Sequence, residues 1–247
     1  MTLTQAQPAD RSPKPLALGE TSDHKALATG LVLMGFMLLT WYLAFFYAPV
    51  DANQGEVYRI MFLHVPSAFT AFLASFVIFL ISMIGFKTRS EESLLWARAT
   101  AEVGLIFTIL TLATGSIWGK PTWGTWWTWD ARLTTTFLLA LLYAGYLLLY
   151  QSMSPGPGPV KVCGALGILI FIDVPIIYKS VTWWRTLHQP PSMLREGGST
   201  MDTDILRTLL LAIVAMIGVG AWLISQRGRN LKWRYELETA SLAQIKG

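Results

Sequence analysis

Charge is scarce in this chain. Only 14% of its 247 residues are Asp, Glu, Lys or Arg, where soluble domains carry roughly 25%. The net charge of +4 is modest, and no Lys/Arg-rich stripe on a polar segment marks a nucleic-acid surface. Cysteine is scarcer still. The one thiol, Cys163, lies in an apolar run, so an intramolecular disulfide is excluded, and no C-x-x-C motif is present for thiol redox work or covalent haem attachment. Cys163 reads as a small packing residue. Nucleotide hydrolysis finds no support, because "TGSIWGKP" at 114–121 has Thr114 where a phosphate-binding loop needs glycine. Neither H-E-x-x-H nor G-x-S-x-G occurs, so no enzymatic activity is expected. Residues 1–25 lack an apolar core and a cleavage site, and read as a disordered tail rather than a signal peptide.

What is abundant is apolar. Hydrophobic residues make up 53% of the chain, and 11 are tryptophans. A spanning helix needs ~20 mostly apolar residues. Six stretches answer to that, at 26–47, 66–86, 99–118, 133–150, 162–178 and 205–224. The expected fold is therefore an all-α integral membrane protein. A disordered tail (1–25), a six-span domain (26–225) and a basic tail (226–247) divide the chain. An even number of spans puts both termini on one side. Lys25, Lys87, Arg89, Arg98, Lys161 and "QRGRNLKWR" at 226–234 favour the cytoplasm for that side. Arg59, Lys120, Arg132, Lys179, Arg185, Arg195 and Arg207 then fall outside, where a bound anion would account for them.

By parity, three unusual features share the outer face. One is "WGTWWTWD", residues 123–130, with Trp118 shortly before it. Interfacial tryptophans are common. As a short helix after Pro121, however, residues 123, 126, 127 and 130 would share one face and form an amphipathic aromatic shelf, with Thr125, Thr128 and Trp129 behind it. The others are His64, in "FLHVPS" just before a span that Pro66 is expected to open, and His188 in "TLHQPP". Each reads alone as an ordinary interfacial histidine. Together they form a poor closed zinc site, which takes four protein ligands, but a complete axial pair for a haem iron. Haem is flat, mostly apolar and edged by two carboxylates. The indoles suit its face, and Arg132 and Arg185 suit its edge, because a guanidinium binds both oxygens of a carboxylate. Arg59 and Lys120 are weaker candidates.

"WGTWWTWDARLT" resembles the tryptophan-rich WWD signature of haem-handling membrane proteins of cytochrome c biogenesis. "FLHVPSA" at 62–68 and "DVPIIYKSVTWWRTLHQP" at 173–190 resemble the flanking segments of one branch, haem exporter protein C, with the likeness running from about residue 40 to about 225. The resemblance implies that haem b is held transiently and without covalent attachment at the periplasmic face of the bacterial inner membrane. His64 and His188 would ligate iron, with Trp118, Trp123, Trp126, Trp127, Trp129 and Asp130 as platform. It implies delivery to a membrane-anchored periplasmic haem chaperone, alongside the ATPase and membrane subunits of an ABC transporter and a small single-span subunit. A cytochrome b-like electron-transfer subunit is the rival reading, although such proteins usually place histidine pairs near mid-membrane. A channel would need polar groups through the membrane, and few exist. Asp173 stays open: it pairs with a cation, orients the His188 loop, or sits near enough to the interface to be solvated. Glu102 and Arg98, four apart, read as a local helical pair.

Overall fold

The computed structural model of the protein describes residues 20–154, 157–189, 193 and 198–246. Six helices follow one another. α1 spans Glu20–Tyr42 and runs on into a π-helical turn, Leu43–Tyr47. A loop and a 3-10 turn at Glu56–Ile60 lead to α2, Met61–Thr88. Then come α3 (Glu91–Trp123), α4 (Ala131–Ser152), α5 (Pro157–Trp183) and α6 (Thr203–Lys246). Among the described residues, six helices are long and apolar enough to cross a membrane, as the hydrophobic runs require.

The ends of these elements depart from the sequence reading in four places. α1 begins at Glu20, so residues 20–25 of the expected tail are helical, while 1–19 lie outside the described residues, as does Arg195. α2 begins at Met61, and Pro66 is buried inside it. The apolar run Met61–Leu63 extends the helix backward onto the 3-10 turn, which puts His64 on its first turn. The expected shelf helix after Pro121 does not form. α3 runs through Pro121 to Trp123 and ends at Gly124, whose φ of 80° is the left-handed cap that glycine adopts without strain. Residues 124–130 are then irregular. Finally, residues 226–246 are no separate tail but the continuation of α6, a helix of 44 residues and thus about 66 Å in length.

α2 is the hub, packed against α3, α5 and α6, whereas α1 packs mainly against α6. Ile78 of α2, Leu139, Tyr143 and Tyr146 of α4, and Cys163, Ile170 and Ile177 of α5 form one fully buried cluster. Cys163 is thus the packing residue expected. Gly104 leaves room on α3 for the Tyr143 ring, whose hydroxyl donates to the carbonyl of Ala71 at 3.1 Å. Away from this core the helices expose leucine, isoleucine, valine and phenylalanine broadly. In water such patches would demand a partner, but in a bilayer they meet lipid.

The far end of α6 is tied to α3. Glu102 accepts from Arg98 at 3.0 Å and, in a fork, from Arg227 of α6. Lys232 reaches Glu92 at 2.7 Å, and the Tyr235 hydroxyl donates to Glu91. The Arg98–Glu102 pair is therefore part of an inter-helix network and more than a local contact.

Candidate functional site

At the opposite end of the bundle, a cleft opens between α2, α3, α4 and the segment after α5. His64, Trp118, Trp123, Trp127, Arg132 and His188 line it, with Phe72, Thr136 and Ile177 deeper in. Pockets between helices of a bundle are usual ligand sites.

The two histidines arrive from α2 and from the loop after α5. Nδ1 of His64 lies 3.0 Å from the carbonyl oxygen of Thr111 and 3.1 Å from Thr114 Oγ1. A carbonyl only accepts, so Nδ1 carries the proton there and Nε2 keeps its lone pair. Nδ1 of His188 likewise lies 2.9 Å from the carbonyl of Gln189. Both imidazoles thus have the tautomer that ligates metal through Nε2, with the outer nitrogen anchored. Burial, and next the Arg132 charge, push the His188 pKa down to about 4; the Gln189 carbonyl and Asp130 oppose this more weakly. The ring is neutral and available as a ligand at ordinary pH.

The walls are indole. Trp118 stands edge-on to His64, ring centres 5.7 Å apart at 73°. Trp123 lies 6.1 Å from His188 at 57°. A Cβ on Gly119 would come within 2.9 Å of the Trp123 ring, so this glycine lets the indole fold back on its own helix. Gly115 does the same for His64, since a Cβ there would sit 3.0 Å from Cε1. Trp127 packs edge-on to Trp129 at 5.4 Å, and its buried Nε1 has no hydrogen-bond partner among the described residues. Arg132, half-buried on the first turn of α4, lines the cleft with no side-chain hydrogen bond or ion pair among the described residues. The Trp127 N–H is thus a buried donor at the cleft without an acceptor among the described residues.

Several sequence candidates lie elsewhere. Trp126 and Trp129 do not line the cleft and are 58% and 74% exposed, so the loop divides its tryptophans between cleft and surface. Arg185 is exposed and outside the cleft. Arg59 donates instead to the carbonyls of Ala44 and Ala48 and pairs with Glu56, and Lys120 donates to the carbonyl of Gly124 at 3.0 Å. Asp130 is not part of the aromatic wall either. Oδ1 caps α4 by accepting the N–H of Leu133 at 2.9 Å. Oδ2 accepts the Thr186 hydroxyl at 2.6 Å and the N–H of Leu187 at 3.1 Å. Thr186 Oγ1 in turn accepts the N–H of His188 at 3.1 Å. Asp130, and not Asp173, therefore orients the His188 loop. Asp173 is 4% exposed on α5, one turn deeper than Ile177, and its Oδ2 has no hydrogen-bond partner among the described residues. Thr111, Thr114 and Gly115 escaped the sequence reading, and the only signal for them was a glycine inside a helical run, which marks close approach.

Fold and cleft together define a multi-pass helical membrane protein with an indole-lined cleft at one end of its bundle. The chain belongs to the heme exporter protein C family, whose family model matches residues 13–243. It is 39% identical over 211 residues to "Heme exporter protein C" of Haemophilus influenzae, covering 85% of this chain and 84% of that one. To the protein of the same name from Escherichia coli it is 36% identical, covering 81% and 82%. A "Putative cytochrome c biosynthesis ccmC-like mitochondrial protein" of Marchantia polymorpha is 40% identical, covering 73% and 78%.

Proposed function

We propose that this protein binds haem in the cleft and passes it on during maturation of c-type cytochromes, without catalysing a reaction of its own. One observation carries the reading. Two imidazoles from distant parts of the chain, each anchored through Nδ1, line one cleft with three tryptophans and an arginine that makes no ion-pair contact among the described residues. Haem is cargo here, and its porphyrin brings four of the iron's six ligands. That fits the donor set, since no group of three or more His, Cys, Asp or Glu residues suited to a metal occurs among the described residues. His64 and His188 would hold the iron. Trp118, Trp123 and Trp127 would cover the ring faces. Arg132 and the Trp127 N–H would meet the carboxylate edge. The names of the relatives support export of haem as the purpose.

In this reading the cleft opens at the periplasmic face of the bacterial inner membrane, with both termini in the cytoplasm. The excess of Lys and Arg beside the termini supports that orientation. The receiver is a membrane-anchored periplasmic haem chaperone. The energy source is an ABC transporter whose ATPase, membrane and small single-span subunits join the complex, because this chain has no nucleotide site of its own. Trp126, Trp129 and Arg185, exposed beside the mouth, would meet the bilayer or the receiver.

Absorption spectra of the purified protein, oxidised and reduced, test the proposal. Wild type is expected to show the Soret and α/β bands of bis-histidine haem, and His64→Ala and His188→Ala to lose most of that absorbance and to lower mature cytochrome c. Wild-type haem content and wild-type maturation in both variants would falsify the ligand assignment. Rapid electron exchange with quinone, with maturation unaffected, would favour a cytochrome b-like carrier.

A further inference from the structure

Trp118 differs from Trp127 in one respect: its N–H is already engaged. It donates to Oε1 of Gln54 at 2.8 Å, across 64 positions of sequence. The loop that presents Gln54 is assembled without using that side chain. Oδ1 of Asp51 accepts the N–H groups of Asn53 at 2.9 Å and Gln54 at 2.8 Å, and the Asp51 carbonyl accepts the N–H of Gly55 at 3.0 Å. Gly55 has φ 59° with ψ −141°, backbone that a side chain would strain. On the far side of the turn, Tyr58 donates to the carbonyl of Pro49, and Arg59 closes the carbonyls of Ala44 and Ala48 at the end of α1. The turn is thus pinned at both ends, and its free amide oxygen is held over one indole. That indole stands edge-on to His64 in the cleft wall.

We propose that Gln54 is a positioning residue for the ligand cleft. It fixes the orientation of Trp118, and through that ring the seat of His64, before any ligand arrives. The inference rests on the haem-binding reading above for its functional consequence, but the contact itself does not. A tryptophan offers a single donor. With that donor held, the ring cannot turn about its side-chain bonds without leaving a half-buried N–H unpaired, which is costly. The first outer loop therefore acts on the site without lining it.

The test compares Gln54→Met, of similar length but with no acceptor oxygen, with Gln54→Glu, which keeps one. Haem titrations follow the Soret band of the full-length protein in detergent. Indole N–H signals of the ¹⁵N-tryptophan-labelled apoprotein identify Trp118 as the resonance lost in Trp118→Phe. Gln54→Met is expected to weaken haem binding about three- to tenfold, the worth of one neutral hydrogen bond. It should also move the Trp118 indole signal upfield and speed its exchange, at an unchanged melting temperature. Gln54→Glu should bind within about twofold of wild type, and Gln54→Met added to Trp118→Phe should cost nothing more. Unchanged affinity in Gln54→Met, an unmoved indole signal, or full additivity with Trp118→Phe each overturns the proposal. If wild type itself takes up no haem, the delivery reading falls, and the indole signal alone decides whether Gln54 holds Trp118.

Discussion

At the end of the bundle that carries the α6 extension, every acidic group of the first turns of α3 has a partner: Glu91 has Tyr235, Glu92 has Lys232, and Glu102 has both Arg98 and Arg227. At the cleft end, half-buried Arg132 and the buried Trp127 N–H have no hydrogen-bond partner among the described residues. The same molecule thus pairs the carboxylates of α3 at one end and leaves the Trp127 N–H without an acceptor among the described residues at the other. A half-buried guanidinium with no direct ion-pair contact costs desolvation, and such groups cluster at functional sites. The contrast separates residues that hold the fold from residues that the proposed function assigns to the ligand.

Substitutions at the two ends should therefore fail differently. The largest effect is expected where the two roles meet, at Asp130. Asp130→Ala removes the cap of α4, worth about 1–2 kcal/mol, and releases Thr186 and Leu187, so that melting temperature and haem affinity both drop, the affinity by more than about tenfold given two lost hydrogen bonds to a charged group. Arg132→Gln should weaken haem binding by about tenfold, since hydrogen bonds to charged groups are worth about 1.5–3 kcal/mol, while the apoprotein melts no lower than wild type. A clear loss of stability in Arg132→Gln would erase the contrast. Glu102→Gln should do the reverse: it leaves Arg98 and Arg227 facing one another, costs about 1–2 kcal/mol of stability for partly exposed pairs, and leaves the haem titration where it was. Gly115→Ala should be the mildest. Its methyl presses the His64 ring aside by a few tenths of an ångström, and a loss of about two- to fivefold in haem affinity is expected from so small an off-rotamer shift. A spectrum and affinity identical to wild type would mean that His64 is not confined there.

The six helices were legible because a membrane span is a composition problem: twenty apolar residues are visible without any knowledge of neighbours. The histidine pair was legible because the chain has only three histidines and parity puts two of them on one face. Trp118, Trp123, Trp127 and Arg132 followed from closeness to the tryptophan-rich stretch. Helix ends were not legible. Pro66 and Pro121 were read as first positions, yet both lie inside helices, as spanning helices tolerate. The shelf helix failed because Gly124 stops one helix and Asp130 caps the next, which leaves too few residues between them for a turn of regular structure. Gln54 and Thr111 had no periodic or compositional signal, and Gly115 had only that of a glycine inside a helical run. Their roles arise only when α2, α3 and the first outer loop pack together. Asp130 was seen as important for the wrong reason: a carboxylate beside indoles reads as part of a surface, whereas its oxygens serve two backbone segments.

If the cleft holds haem as proposed, that carboxylate has a consequence for how the haem would leave. One oxygen steadies the helix bearing Arg132, and the other steadies the strap bearing His188. A receiver that pulls the strap outward would then act on the same carboxylate that caps the helix bearing Arg132, so that loss of the iron ligand and loss of the propionate partner would be coupled through Asp130.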